Sequence, residues 1–496
     1  MRLMVSEVRF GGLGVQQSPM TLVAHAIRPH ASEGSTPRPV VSEGTHGAQG
    51  EIPQIAEWPI AQRVRWVRAF RRLVASEARA LAALMQEEVG KPLHEGLMGD
   101  VGPLLAVCKW LERHGESQLR PQRQRGGGVL TFGQKLWISR VPLGHVAIIA
   151  TWNYPIHLLG VQFVQALFAG NRVTVKPSEQ APRTQERLLQ LARKAGCPAD
   201  ILMWTAASRE AGRALLEEHR FDHVIFTGST PVGQAIAEKL AASLTPSTLE
   251  CSGRDSALVL EDADPVLAAR SIWNGVEFNG GQTCMGPRRA LVHHKVYARF
   301  LAAMSPFAAG ARPRRLIDAA AAARTFGLAR QAVQDGGRSL SGVLEEPVGS
   351  SMVPLAIVDC PAQTALVQGD HFGPAIAVVQ CDSWEKMLQV HRSSGQYLAT
   401  SVFTADSRRA QEFAPLLGSG TVTINDCIMP TGSPLVGIGA SGMAGWGVTQ
   451  GREGLLALTR PLYVTTTSRI LRPPLGEPLP KITNHLFAFI QRWYGR

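Results

Sequence analysis

Negative charge is in short supply in this chain: 39 Asp+Glu stand against 51 Lys+Arg over 496 residues, a formal net charge of +12. An excess of that size raises the question of a nucleic-acid or anionic-membrane partner. The surplus is scattered arginine, as in Arg63, Arg65, Arg68, Arg71 and Arg72 on one expected helix, and no nucleic-acid-binding motif accompanies it. The reading is therefore a solvated basic surface. Cysteine is also sparse. The seven residues (Cys108, Cys197, Cys251, Cys284, Cys360, Cys381, Cys427) are odd in number and widely separated, with no C-x-x-C pair and no zinc-type spacing. That excludes a disulfide framework and gives no ground for a metal site, and it suits free thiols in a reducing compartment. No run of about 18 apolar residues is present, so no membrane-spanning helix is expected. The opening MRLMVSEVRFGGLG has no apolar signal-peptide core. The expectation is a cytoplasmic protein of two or three domains, because one compact core does not serve a chain of this length.

Residues 11 to about 56 are rich in Gly, Pro, Ser and His without a sustained period, and 1–56 reads as a poorly ordered arm. From Ala61 to Val89 the apolar positions Val64, Val67, Leu73, Val74, Leu81, Leu84 and Met85 recur at helical spacing, and Gly90-Lys91-Pro92 ends the run. The middle of the chain then alternates strand and helix. Strands are expected at His145–Ala150, Arg172–Val175 and His223–Phe226, with helices from Ile156 to Phe168, about Thr184 to Ala195, and onward from Ser229 to about Ala242. This rhythm predicts an α/β fold with a doubly wound, mainly parallel sheet that binds ligands at the C-terminal ends of its strands. After Glu250 a second α/β unit begins with Ser256–Leu260 and continues through Arg289–Val292, Ala375–Val379 and Val422–Ile424. The Ala/Arg-rich stretch from Ala302 to Ala332 reads as surface helix. Near the C-terminus Leu486, Phe489, Ile490 and Trp493 share one face of a short helix. Such a face packs on a neighbouring subunit or attaches to a membrane surface.

Six short motifs carry chemistry. Gly280-Gly281-Gln282-Thr283-Cys284 sets a cysteine in a loop of small residues, where backbone N–H groups beside the thiol can stabilise an oxyanion. Leu249-Glu250-Cys251-Ser252-Gly253 ends an apolar strand with a carboxylate, which burial would tune toward general-base work. Cys251 in the same motif reads as packing. Thr151-Trp152-Asn153-Tyr154-Pro155 follows a core strand and offers an uncharged amide donor at Asn153. Lys176-Pro177-Ser178-Glu179 ends the next strand, with a Lys and a Glu placed for ribose hydroxyls; Glu179 would repel a 2′-phosphate and so favours NAD over NADP. Phe226-Thr227-Gly228-Ser229-Thr230-Pro231-Val232-Gly233 is a strand, glycine turn and helix start with free N–H groups for a diphosphate, although it is not G-x-G-x-x-G. The sixth is His371-Phe372-Gly373-Pro374.

Each of these is modest alone, but TWNYP, KPSE, FTGSTPVG, LECSG, GQTC and HFGP occur in the order and at the intervals that resemble the aldehyde dehydrogenase superfamily, over roughly residues 60–460. The resemblance implies a Rossmann-type cofactor domain (57–125 and 143–252), a second α/β catalytic domain (253–460), and a small β-flap for oligomerisation with a C-terminal tail (126–142 and 461–496). It implies oxidation of an aldehyde with NAD or NADP as cofactor. Cys284 then resembles the nucleophile, Glu250 the general base, and Asn153 with the Cys284 N–H the oxyanion hole. Trp152, Lys176, Ser178, Glu179, Gly228, Ser229, Gly233, Asp370 and Phe372 match cofactor-binding positions, and a homodimer or homotetramer is implied.

Three departures stand out. Asp370 occupies a position where the family usually has Glu, one methylene longer. LECSGRD replaces the commoner L-E-L-G-G-K, and Pro434-Leu435-Val436-Gly437 stands where P-F-G-G is usual. Two rival readings stay open at this point: release of the thioester to CoA, against which Glu250 speaks, and a cofactor-binding protein with little turnover, which Asp370 motivates. Trp152, Tyr154 and Phe278 near the motifs hint at an apolar or aromatic substrate.

Overall fold

Two mainly parallel sheets form the molecule's framework, each made from short runs of β-branched and small apolar residues that are buried on both faces. This computed structural model describes residues 58–124, 134–467 and 481–495; the expected arm at 1–56 and the tip of the expected flap hairpin at 125–133 lie outside them.

The first sheet runs, in spatial order, Gly445–Trp446, Ser247–Cys251, His223–Gly228, His145–Ile149, Arg172–Lys176, Leu202–Trp204. The chain lays His145–Ile149 first, steps outward twice on one side, then returns to build the other side from His223–Gly228. The sheet therefore has a switch point between His145–Ile149 and His223–Gly228, where crossovers leave in opposite directions and open a crevice. Its helix His157–Ala169 is buried along its whole length, as an apolar run without a polar face must be. Gly170 ends that helix at φ +100°, a left-handed conformation that glycine adopts without a Cβ penalty.

The second sheet runs Arg338–Ser339, Leu355–Val358, Ala375–Cys381, Arg289–His293, Ser256–Val259, Ala399–Phe403, Thr421–Ile424, with only the first pair antiparallel. Gln122–Gln124, Lys135–Pro142 and Thr459–Thr466 form a separate three-stranded antiparallel sheet. The C-terminal helix spans Lys481–Tyr494.

Three sequence expectations need correction. The run from Ala61 to Val89 is two helices, Ile60–Ser76 and Ala78–Val89, broken at Glu77 and ended by Gly90 at φ +74°. Ala302–Ala332 is likewise not one helix. His294–Ala309 and Ala319–Gln334 are separated by a segment in which Gly310 and Pro313 interrupt helix formation and Arg314–Arg315 pairs as a strand. The second of these lies at the surface on one face only: Ala320, Ala323, Arg324 and Arg330 are exposed, while Ala321, Ala322, Phe326, Ala329 and Ala332 are buried. Finally, the first sheet is not confined to residues before 253: Gly445–Trp446 adds an antiparallel edge strand, with Gly445 opposite Glu250.

Candidate active site

The loop that carries Cys284 owes its shape to three successive left-handed residues, Asn279 (φ 54°), Gly280 (φ 60°) and Gly281 (φ 69°). At Gly281 a Cβ would lie 2.5 Å from the Gly373 carbonyl, so the GGQTC and HFGP loops touch backbone to backbone and only glycine fits. Asn279 tolerates its conformation because it is tied on every side. Its N–H donates to Glu95 Oε2 (2.7 Å), and its Nδ2 donates to the carbonyls of Asn153 (2.9 Å) and Gln282 (3.0 Å).

Asn153 reaches the same point from the C-terminal end of His145–Ile149. Its Nδ2 donates to the Gln282 carbonyl at 3.1 Å, two residues before Cys284, and its Oδ1 accepts from Thr151 Oγ1 at 3.1 Å. Below it lies a buried ion pair, Lys91 and Asp100, with neither side chain exposed. Lys91 Nζ also donates to the Asn153 carbonyl (2.7 Å) and sits 3.7 Å over the Tyr154 ring, while Asp100 Oδ1 accepts from the N–H groups of Ile156 and His157 at 3.1 Å each. That carboxylate caps the start of His157–Ala169 and binds the Asn153 turn to it.

Glu250 approaches from Ser247–Cys251 and is 2% exposed. Oε2 accepts from Thr449 Oγ1 at 3.1 Å, whereas Oε1 has no partner. Burial lifts its pKa to about 7, with the Thr449 bond pulling the other way. The Cys284 thiol is raised from its ordinary value by burial first, then by Glu250 and Asp255, against a lowering effect of Arg288. A depressed thiol pKa, which the cationic composition invites, is therefore not what this structure has. Cys284 packs among Tyr154, Leu158, Met285, Leu398, Ala399 and Ile438, with Phe278 against the cluster, so the thiol sits in an apolar wall.

Around the crevice, Lys176 Nζ donates to Glu179 Oε1 at 2.7 Å; the lysine is buried and the glutamate exposed. Ser178 is buried, its N–H held by Gln185 Oε1 at 2.7 Å. Thr230–Ala241 begins after Ser229 without a side-chain cap, which leaves first-turn N–H groups open. A Cβ at Gly233 would meet Cys251 Sγ at 2.7 Å, so the helix start lies directly on the strand, and Cys251 has the packing role expected of it. Gly228 closes the strand His223–Gly228 at the switch point. These residues fit a dinucleotide: open N–H donors meet a glycine cradle at the crevice, with a Lys–Glu pair at its side. From the second sheet Phe372 meets Trp152 edge to face, ring centroids 5.7 Å apart, and Asp370 stands exposed beside it.

Sequence reasoning missed Thr449, Arg288, Lys91 and Asp100. Arg288 was within reach as a charged residue four places after Cys284. Thr449 is 199 positions from Glu250 and Lys91 is 62 from Asn153, and no local pattern connects them.

The chain matches the sequence profile of the aldehyde dehydrogenase family over residues 38–464. Among similar proteins, 4,4′-diapolycopene-4,4′-dial dehydrogenase of Cytobacillus firmus is 29% identical, covering 80% of this chain and 88% of its own. A probable coniferyl aldehyde dehydrogenase of Pseudomonas aeruginosa is 28% identical, covering 86% and 92%. The Bacillus cereus aldehyde dehydrogenase solved as its NAD+ complex superposes with a TM-score of 0.77 at 25% identity, covering 84% of this chain and 86% of its own. With the profile spanning most of the chain and the fold agreeing, this protein belongs to the aldehyde dehydrogenase family, the NAD(P)-dependent oxidoreductases of the aldehyde group.

Proposed function

We propose that this enzyme oxidises an aldehyde to a carboxylic acid with Cys284 as nucleophile, Glu250 as general base, and Asn153 with the Cys284 N–H as oxyanion donors. The observation that carries the reading is the buried Glu250 carboxyl, with one oxygen unpartnered and a pKa of about 7, acting electrostatically on a thiol held in the Asn153–Gln282 loop. The balance is aldehyde + NAD(P)+ + water → carboxylic acid + NAD(P)H + H+. The Cys284 thiol releases its proton to solvent and its sulfur adds to the carbonyl carbon, and the charge that develops on oxygen falls to Asn153 Nδ2 and the Cys284 N–H. The nicotinamide, when bound, supplies the hydride acceptor that leaves an acyl group on sulfur. Glu250 then removes a proton from water as its oxygen attacks the acyl carbon, and the Cys284 thiolate departs. Lys176, Ser178, Glu179, Gly228, Ser229 and Gly233 would hold the dinucleotide, with Trp152, Asp370 and Phe372 at the nicotinamide end. Glu179 favours NAD by repelling a 2′-phosphate.

The apolar cluster around Cys284 favours aldehydes with apolar or aromatic bodies, in line with the relatives named for diapolycopenedial and coniferyl aldehyde. Residues 57–125 and 143–252 serve as the cofactor domain and 253–460 as the catalytic domain, with Gly445–Trp446 contributed back to the first. The flap formed by Lys135–Pro142 and Thr459–Thr466 exposes Trp137, Leu462, Tyr463 and Val464, a surface suited to pairing subunits in a homodimer or homotetramer.

The test is NADH and NADPH formation over short, long-chain and aromatic aldehydes, with and without CoA. Cys284→Ala is expected to lose turnover by about 10³-fold or more. Glu250→Gln is expected to keep a burst of NADH and lose the steady state. A Cys284→Ala variant with wild-type turnover, or product formed only with CoA, overturns the reading.

A second reading adds a peripheral membrane contact. It is favoured by the exposed Phe487, Phe489 and Trp493 on Lys481–Tyr494, a helix with Lys481 and Arg492 and no acidic residue. Equal sedimentation with anionic liposomes of the full chain and of a chain ending at Pro480 would dispose of it.

A further inference from the structure

Arg288 is 3% exposed, yet its guanidinium spends both terminal nitrogens on main-chain carbonyls: Nη1 donates to Gly281 at 2.7 Å and Nη2 to Thr283 at 2.7 Å. Nε is buried without a partner. The cation lies 5.3 Å from the ring centroid of Phe372, whose chain neighbour His371 is buried. Two carboxylates, Asp370 and Asp255, act on this cation without a hydrogen bond to it; burying the charge is still costly, and a neutral amide would serve to join the loop carbonyls. The charge itself therefore calls for a role.

The two carbonyls it grips bracket the segment that matters. Between them, the Gln282 carbonyl accepts from Asn153 Nδ2. The Thr283 carbonyl belongs to the same planar peptide as the Cys284 N–H. A cationic donor on that oxygen draws density through the amide and makes the N–H a stronger donor. The left-handed turn at 279–281 brings Gly281 around so that one planar guanidinium reaches both oxygens.

We propose that Arg288 is a positioning residue for the nucleophile: by gripping the carbonyls of Gly281 and Thr283 it orients and polarises the Thr283–Cys284 peptide and holds a buried positive charge beside the thiol. The role rests on the reading of Cys284 as nucleophile. It acts through the peptide and the field, and Arg288 touches no reacting atom. The direction agrees with its lowering effect on the thiol, opposed to burial, Glu250 and Asp255.

The experiment is alkylation of the full-length protein by iodoacetamide from pH 6 to 10, with and without NAD+, following the Cys284 peptide by mass spectrometry. Wild type is compared with Arg288→Gln and Arg288→Lys. Pre-steady-state NADH bursts are recorded in parallel, and Cys284→Ala serves as a separate activity control. Arg288→Gln is expected to move the alkylation midpoint up by about one pH unit, a tenfold loss of thiolate at neutral pH, and to slow the burst more than tenfold with the KM for NAD+ little changed. Arg288→Lys, which keeps the charge and not the two-pronged grip, is expected to hold the midpoint within a few tenths of a unit and slow the burst severalfold. A wild-type midpoint and burst in Arg288→Gln overturns the proposal, as does a Lys variant shifted as far as the Gln variant. If Arg288→Gln does not fold, the Lys variant decides: a retained midpoint with a slowed burst supports the role, and an upward shift of one unit refutes it. Full turnover in Cys284→Ala would instead remove the nucleophile reading, so the two failures are told apart.

Discussion

The Cys284 side of the crevice and the dinucleotide side are built on opposite plans. On the first, Asn153, Glu250 and Cys284 are nearly sealed from solvent, and the loop between Asn279 and Cys284 is held by Glu95, Asn153 and Arg288 at once. On the second, Glu179 and Ser229 stand exposed, the Lys176–Glu179 pair is reached only at longer range by a further charge, Arg209, and the Thr230–Ala241 helix starts uncapped. The difference is what the proposed roles ask of each side. Groups that stabilise developing charge gain most when fixed in a site of low polarity before the reaction. Groups that receive a soluble ligand must be able to exchange a protein or water partner for a ligand one.

Three substitutions probe that contrast, from the largest expected effect down. Lys91→Met strips the buried Asp100 of its cation and is expected to cost about 3–5 kcal/mol of stability, read as a lowered urea midpoint; Lys91→Met/Asp100→Asn is expected to regain part of it. If the single variant unfolds like wild type, the nucleophile side is not braced in the way described. Next comes Glu250→Gln. Because burial raises the folded pKa to about 7, the folded state keeps a proton that the unfolded chain releases near the ordinary carboxylate value. The wild type thus loses stability as pH rises between about 4.5 and 7, and above 7 the penalty is complete, on the order of 3 kcal/mol. The Gln variant is expected to lack that slope, so its advantage over wild type should grow from pH 5 to pH 8 in thermal unfolding. The same ionisation predicts steady-state turnover that climbs through pH 7 in wild type. Smallest is Glu179→Gln, on the open side. Stability should stay within about 0.5 kcal/mol, while the ratio of kcat/KM for NADP+ over NAD+ is expected to rise about tenfold. An unchanged ratio would separate Glu179 from coenzyme choice.

The same contrast shows how much was legible in the sequence. The candidate cofactor and reactive residues were legible as candidates because each lies in one continuous segment: LECSG, TWNYP, KPSE and FTGSTPVG at strand ends, and GQTC in the turn between the helix Pro265–Glu277 and the strand Arg289–His293. The two parallel sheets were readable from strand and helix alternation. The bracing was not. Thr449 reaches Glu250, Lys91 reaches Asn153 and Arg314 reaches Glu95 only after the chain has folded back over long separations. The region from Ala302 to Ala332 misled for another reason. Alanine has high helix propensity and weak hydropathy, so neither the break near Gly310–Pro313 nor the burial of Ala322, Ala329 and Ala332 leaves a periodic trace.

Gly445–Trp446 lies at the edge of the first sheet, pairing with Ser247–Cys251 and placing Gly445 opposite Glu250, with the Trp446 indole bonded to the Ser247 carbonyl at 3.0 Å. During synthesis nearly two hundred residues must emerge after that strand before its edge is covered. A nascent chain stopped short of Gly445 carries an open, apolar strand margin of the kind that recruits other chains. The last quarter of the polypeptide thus closes a strand edge laid down near the middle of the chain.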